Sequence, residues 1–326
     1  NDAQREYLQK LLPPDIFSRI TFLQAPKGQQ FSVWAQDYTE GDNKVQILPL
    51  TYLGGGPRKT PINPQNEFIY ELEKTGVEVR RVPVEFAGGN VFIAVDGNGK
   101  KVLLNGADDY FFTALTYKES GQLISEEEYK GIIKKAFNVD DVVMIGMRDE
   151  NGQLVRQNRF IFHIDQSMVP VGDGVVAMPK LEFPPNYLTK EEIYLEWRNS
   201  VMDLAKKYGI DVEIVRDAAE YKIPDSWDYG QENKLRFEQN KIDRAYAEKI
   251  RLYILSDEIT AYQNIIKERG FQIIDLLVSP DNIKNFQAYT NGIIYTDKEN
   301  GQKTIIMPIF PNEQGEYKME GLNLKN

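Results

Sequence analysis

One supersecondary unit returns along this chain, and a chain built from a returning unit has few folds open to it. The unit is a helix, a short apolar strand, and two further strands around a Gly/Asp/Asn turn. Its first helix carries Tyr7, Leu8, Leu11 and Leu12 and is stopped by Pro13-Pro14, since proline lacks the N–H that the helix ladder needs. A strand at Ile20 to Leu23 and a hairpin from Phe31 to Leu50 follow, turning near Gly41-Asp42-Asn43. The second unit reads as a helix over 66–74, a strand from Val77 to Val82, and a hairpin from Val91. That hairpin turns at Asp96-Gly97-Asn98-Gly99, residues that take up turn conformations cheaply, and returns through Val102, Leu103 and Leu104. The third opens on Ser125-Glu126-Glu127-Glu128, a capping-box pattern, and continues with a strand from Val142 to Met147 and a hairpin strand from Phe160 to Val171. It turns at Gly172-Asp173-Gly174 and returns from Val175 to Pro179. The fourth has a strand from Phe271 to Val278 and a hairpin from Gly292 through Asp297 to Pro308. The phrases VVAMPK and TIIMPI occupy matching places after their turns.

Between the third and fourth units the spacing is stretched. Thr189 and Glu192 form another capping box. Ile193, Trp197, Val201 and Leu204 make a helical stripe, and Gly209 is a natural C-terminal cap. After a strand at Val212 to Val215 comes a polar loop, Lys222 to Asn233, then a second stripe from Ile242 to Tyr253. The segment from about 186 to 268 reads as a helical insertion. Whether it covers a site or merely flanks the core is open at this stage.

Composition narrows the function. The 326 residues are 41% hydrophobic and carry a net charge of −10. An acidic chain is a poor partner for nucleic acid, whose phosphates call for clustered Lys and Arg, and a better one for a cationic ligand. Solubility alone also accounts for such a charge. No apolar run reaches the ~18 residues of a membrane span. The absence of cysteine excludes disulfides, zinc–thiolate sites and thiol catalysis within these residues. It says nothing of compartment.

Three short motifs fall at corresponding places in the repeated hairpins. The first is Trp34-Ala35-Gln36-Asp37. The second is Gly88-Gly89-Asn90, which opens a strand and is no phosphate loop, for no Lys-Ser/Thr and no helix follow. The third is His163-Ile164-Asp165, with the sole histidine. In an extended strand His163 and Asp165 project to one side and Phe162 and Ile164 to the other. An imidazole transfers protons near neutral pH, and a carboxylate grips a guanidinium through paired hydrogen bonds. Taken singly, each motif also has a plain structural reading.

In their order, W-x-x-D, G-G-N, H-x-D, the motifs resemble the guanidine-modifying enzymes: agmatine deiminases, arginine deiminases and protein-arginine deiminases. The resemblance covers nearly all of the chain outside the insertion. It implies one α/β domain over 1–326, a pseudo-fivefold α/β propeller of ββαβ-type modules, incomplete at both ends. It implies that Asp37 and Asp165 hold the guanidinium, that His163 is the general acid/base, and that Trp34, Gly88, Gly89 and Asn90 line the substrate. The family's nucleophile is a cysteine in a fifth module, and no G-x-x-H-C segment occurs here. A chain cut from a longer enzyme and a degenerate, guanidinium-binding member both fit.

Gln36 before Asp37 and Glu40 after it make the pattern Q-D-x-x-E, similar to protein-arginine deiminases. Gly56-Pro57-Arg58 resembles a stretch of that group in which an arginine contacts the substrate's backbone. In its calcium-dependent members the Gln and Glu are metal ligands, so calcium at Gln36 and Glu40 is conceivable, though no cofactor is required. Calcium takes about six to eight oxygens, and the others are not evident. The resemblance therefore points to a peptidyl-arginine deiminase. A deiminase of agmatine or free arginine and an arginine-binding pseudoenzyme are the alternatives.

Overall fold

The structure is a computed structural model that describes residues 2–18, 20, 40–41, 44–50, 73–155, 163–215, 218–278, 293–296 and 303–306. Residue contacts divide the chain into two compact units, Asn1–Ala94 with Lys100–Ile145, and Val95–Gly99 with Gly146–Asn326.

The first unit begins with α1 (Asp2–Leu11) and a single turn, α2 (Pro14–Phe17), which Pro14 opens at a position where its missing N–H costs nothing. Strands β1 (Glu40–Gly41), β2 (Val45–Leu48) and β3 (Glu78–Arg81) form one sheet, with β1 antiparallel and β3 parallel to β2. Strands β4 (Val91–Val95), β5 (Lys101–Gly106) and β6 (Asp141–Ile145) form the next, with β6 parallel to β5. Two helices cross over between β5 and β6: α3 (Ala107–Glu119) and α4 (Glu126–Phe137). Val102, Leu103 and Leu104 are all buried, as are Val142, Val143 and Ile145 on β6. Such unbroken apolar runs mark parallel strands covered on both faces. Tyr129, Ile133 and Phe137 are the buried stripe of α4, and Phe137 meets Phe86 edge to face at 5.3 Å. The Ser125–Glu128 capping box is present, both bonds made.

The second unit repeats the arrangement. Strands β7 (Val169–Gly172) and β8 (Val175–Leu181) are antiparallel, and β11 (Gln272–Val278) lies parallel to β8, in register from Gln272↔Val175 to Val278↔Leu181. Three sheets thus share one plan: a hairpin, then a third strand parallel to its second member. The strand that opens each sequence unit therefore completes the sheet of the unit before it. Pro179 lies in β8 opposite Leu276 of β11, beyond Ala177, where pairing with β7 ends. A last hairpin joins β12 (Ile293–Thr296) and β13 (Lys303–Ile306).

Between β8 and β11 lie α5 (Lys190–Tyr208), the hairpin of β9 (Asp211–Val215) and β10 (Ala218–Lys222), and α6 (Tyr229–Glu268). The 40 residues of α6 span roughly 60 Å. Ile193, Trp197, Val201 and Leu204 are buried on α5, and Leu252, Leu255, Ile259, Tyr262 and Ile266 on α6. Lys207 pairs with Glu238 at 2.6 Å and Lys190 with Asp257 at 2.5 Å, an opposite order along the two helices that makes them antiparallel. Inside the pair, the Trp197 indole N–H donates to Asp243 Oδ1 at 2.9 Å.

Several expectations change. Helix α3 lies where the sequence shows no stripe, because aromatic and polar residues mix around it. The polar stretch to Asn233 is partly helix, since Asp228 and Gln231 make a capping box that starts α6. Of the expected strand from Phe160 to Val171, residues 160–162 lie outside the described residues, and within 163–171 the strand starts at Val169. Most of the helix expected over 66–74 lies outside the described residues, as does most of the strand from Ile20.

Candidate functional site

The two described motifs share a backbone form that the sequence did not suggest. Gly88–Asn90 is one turn of 3-10 helix that leads directly into a strand. Ala87 precedes it in extended conformation, φ −115° and ψ 141°, and Val91 starts β4 directly after it. Ile164–Gln166 is likewise one 3-10 turn, preceded by extended His163 at φ −130° and ψ 142°, and it feeds β7. In each, the third residue's N–H returns to the residue before the turn: Asn90 to Ala87 O at 2.8 Å, and Gln166 to His163 O at 3.2 Å.

The expectation that His163 and Asp165 project from one face of a strand is therefore replaced. They sit two positions apart across the start of a turn, so strand alternation does not describe them. The cause is local. The Ser167 hydroxyl donates to Ile164 O at 3.1 Å, and the N–H groups of Ser167 and Met168 also point to that carbonyl, which draws the backbone into a turn. The structure brings His163 and Asp165 together in this one turn. Asp165 is 7% exposed, Ile164 is fully buried, and His163 is half-buried. Asp37, Trp34, Gln36 and Arg58 lie outside the described residues. Of Glu40 only the backbone is described, in β1. The possible calcium ligands thus fall outside the described side chains, and among the described residues no group of three or more His, Cys, Asp or Glu is placed to hold a metal.

Around Gly88–Asn90 a buried polar network appears that the sequence reading missed. Asn90 is 1% exposed and Asp109, in the first turn of α3, is 3% exposed. The Asp109 carboxyl accepts from Asn105 Nδ2 at 2.7 Å, from the Asn90 side chain and from the Ala87 backbone N–H. The second Asn105 amide proton reaches Asn90 O at 3.3 Å, and the Tyr129 hydroxyl donates to Asn105 Oδ1 at 2.8 Å. Thr113 receives the Glu85 N–H at 2.8 Å and donates to Asp109 O at 2.9 Å. Burial holds the Asp109 carboxyl well above the ordinary carboxylate range, against the pull of Asn90, Asn105 and Ala87, with Asp108 adding to the rise. Burial also raises the Tyr129 hydroxyl far above its usual value, helped by the nearby Asp109 and Glu85. The legible signal was the run Asn105-Gly106-Ala107-Asp108-Asp109 directly after an apolar strand.

Gly106 makes room for this network. A Cβ there would lie 1.8 Å from Asn90 Oδ1 and 2.3 Å from its Cγ.

No protein-family model matches the chain, and no curated protein does. Solved structures do resemble it. An agmatine deiminase of C. jejuni aligns over 81% of this chain and 54% of its own, at 12% identity and a TM-score of 0.37. A substrate-bound variant of that agmatine deiminase aligns over 90% and 61%, at 11% identity and a TM-score of 0.39. A Porphyromonas gingivalis protein provisionally described as an arginine deiminase aligns over 88% and 66%, at 14% identity and a TM-score of 0.45. The chain spans a little over half of the C. jejuni enzyme's length. At these identities and TM-scores, any functional reading rests on this chain's own residues.

Proposed function

We propose that this chain supplies the substrate-binding and proton-transferring part of a guanidinium hydrolase, acting on peptidyl arginine to give citrulline and ammonia. The observation that supports the reading is the pair of matching 3-10 turns at the mouths of matching hairpins. One carries Gly88–Asn90 and the other His163 and Asp165, the residue types that such chemistry needs, at equivalent places in a repeated fold. In this reading the modules stand about a pseudo-symmetry axis, as an α/β propeller, with Asp37, His163 and Asp165 converging near it. An experimental structure with Asp37 on a surface remote from His163 overturns it.

A guanidinium carbon is a poor electrophile, because its charge is spread over three nitrogens. Asp37 and Asp165 accept its N–H groups and fix its plane. A thiolate, which these 326 residues do not contain, attacks the carbon. His163 hands a proton to the departing nitrogen, which leaves as ammonia. Water then adds to the thiouronium carbon, giving its proton to His163, and the carbon–sulfur bond breaks to release the ureido product. No step assigned to these residues calls on a metal. The Q-D-x-x-E pattern and Arg58 favour a peptide substrate, whereas agmatine or free arginine would meet the same carboxylates.

Binding tests the reading without the nucleophile. A blocked arginine amide titrated calorimetrically into the chain should bind, and a blocked lysine amide should not. Charge-assisted hydrogen bonds contribute ~1.5–3 kcal/mol each, so Asp165→Ala should weaken binding by more than about tenfold. Equal binding of both amides, or equal loss on Glu126→Ala at an exposed acid, would count against it. Agmatine binding more tightly than the blocked amide would move the proposal to a small guanidine.

A further inference from the structure

We infer that Asp109 is a positioning residue, whose carboxyl clasps the Gly88–Asn90 turn at both ends and fixes the shape that the turn presents. The inference deepens the function proposed above and rests on it for the turn's contact with substrate. Its structural half stands on geometry alone.

The turn begins after Ala87 and ends at Asn90. Asp109 takes the N–H of the first and the side chain of the second. These two donors, with Asn105 Nδ2 at 2.7 Å, leave the carboxyl as the point where the turn, β5 and α3 are joined. Each neighbour is itself held. Asn105 uses both amide protons, on Asp109 and on Asn90 O, and its oxygen takes the Tyr129 hydroxyl. Upstream, Glu85 is tied by its N–H to Thr113, one turn further along α3 than Asp109. The segment from Glu85 to Asn90 is therefore anchored along its length by side chains of α3, α4 and the end of β5.

General stability does not call for this arrangement. A buried carboxyl costs free energy that an apolar residue of similar size would not, and replacing buried polar groups by well-packed apolar ones is often neutral or stabilising. A network in which every Asn105 hydrogen-bonding group is used does something an apolar contact cannot: it selects one backbone geometry for a glycine-rich turn that has many open to it. Binding groups must be held to within about half an ångström by a supporting layer, and Asp109 is that layer here.

The test is amide hydrogen exchange on the full chain, read by mass spectrometry over residues 85–92, beside calorimetric binding of the blocked arginine amide. Asp109→Ala should lower protection in 85–92 at least tenfold while β5 and β6 keep theirs. It should weaken amide binding at least fivefold. Asp109→Asn, which keeps one acceptor oxygen, should fall between wild type and Asp109→Ala in both readings. Ile133→Ala, a core change away from the carboxyl, should loosen the first unit without singling out 85–92. Should Asp109→Ala fail to fold, Asn90→Ala, which removes only one donor, gives the same selective loss at 85–92. Wild-type protection there in Asp109→Ala, or a loss spread equally over β5 and β6, overturns the inference. Selective loosening with unchanged amide binding supports the clasp and instead removes the turn from the substrate site. A wild-type chain that binds no arginine amide overturns the proposed function and leaves the exchange result to judge the clasp by itself.

Discussion

Gly106→Ala isolates the network in a single methyl group. Gly106 has φ −65° and ψ 140°, a conformation that alanine adopts freely, so the backbone contributes no strain. The whole effect is steric. The added Cβ falls 1.8 Å from Asn90 Oδ1, 2.3 Å from Cγ and 2.5 Å from Nδ2, well inside any allowed contact. On an exposed asparagine the side chain would swing aside at little cost. Here Asn90 is 1% exposed and hydrogen-bonded to Asp109, so moving it breaks a bond to a buried carboxyl and leaves polar groups unpaired. Overpacking typically costs ~1–3 kcal/mol. An orphaned buried partner costs about 1–3 kcal/mol more. The sum, about 2–6 kcal/mol, is a large part of the ~5–15 kcal/mol by which domains are stable. The measurement is the urea midpoint of Gly106→Ala, with Asn90→Ala and the double variant completing a cycle. Because Asn90→Ala removes the atoms in the way, the Gly106→Ala cost should drop below about 1 kcal/mol in that background. An unchanged cost in the double variant would mean that Asn90 is not what fills the space.

Gly97→Ala should destabilise the second unit by ~1–3 kcal/mol, because its Cβ would lie 1.9 Å from Gly270 O, a backbone atom that has no rotamer to yield; thermal denaturation reads it. Trp197→Phe should cost about 1–2 kcal/mol in urea, since the indole N–H to Asp243 is lost within the α5–α6 contact. Asp109 sets a pH dependence. Its folded carboxyl is raised by burial, so its contribution to stability is fully present below the ordinary carboxylate range and is lost as pH rises through the raised folded value. Asp109→Asn should flatten the stability profile in that window, and an unaltered profile would contradict the assignment.

Much of this fold was legible because the apolar runs are short, unbroken and separated by Gly/Asp/Asn turns. Val102-Leu103-Leu104 and Val142-Val143 read as buried strands and are buried strands. The stripe on α5 and the capping boxes of α4 and α5 also stand where the sequence put them. Helix α3 escaped because the consecutive Tyr110, Phe111 and Phe112 spread around the helix and, after Ala107, its buried side chains are the polar Asp108, Asp109 and Thr113. A carboxyl goes into a core only when donors wait for it, and those donors, Ala87, Asn90 and Asn105, come from other elements. Periodicity cannot report them. The turn at Ile164–Gln166 was misread for a related reason: apolar Phe160, Ile161 and Phe162 suggested extension, while the Ser167 hydroxyl and the carbonyl of Ile164 favour a local turn.

The two turns also show how a repeated fold separates what shapes a site from what acts in it. Aligned by their helices, Ala87 corresponds to His163, Gly89 to Asp165, and Asn90 to Gln166. The third position keeps an amide in both, and the residues before it differ. Asn90 is drawn into a network that holds it on several sides. The Gln166 side-chain oxygen is buried and has no hydrogen-bond partner among the described residues, a state that costs about 1–3 kcal/mol. At this third position the amide is thus tied down in the turn with glycines and has an unmet oxygen in the turn with charge-bearing residues. Departures from local satisfaction concentrate where a chain is shaped for something other than stability. By that argument Gln166→Leu, which removes the orphaned oxygen, should raise the urea midpoint. It should not improve binding of an arginine amide, since the cost lies in the turn and not in the ligand. A lowered midpoint would mean that the amide is satisfied in solution, and the contrast between the two turns would fall with it.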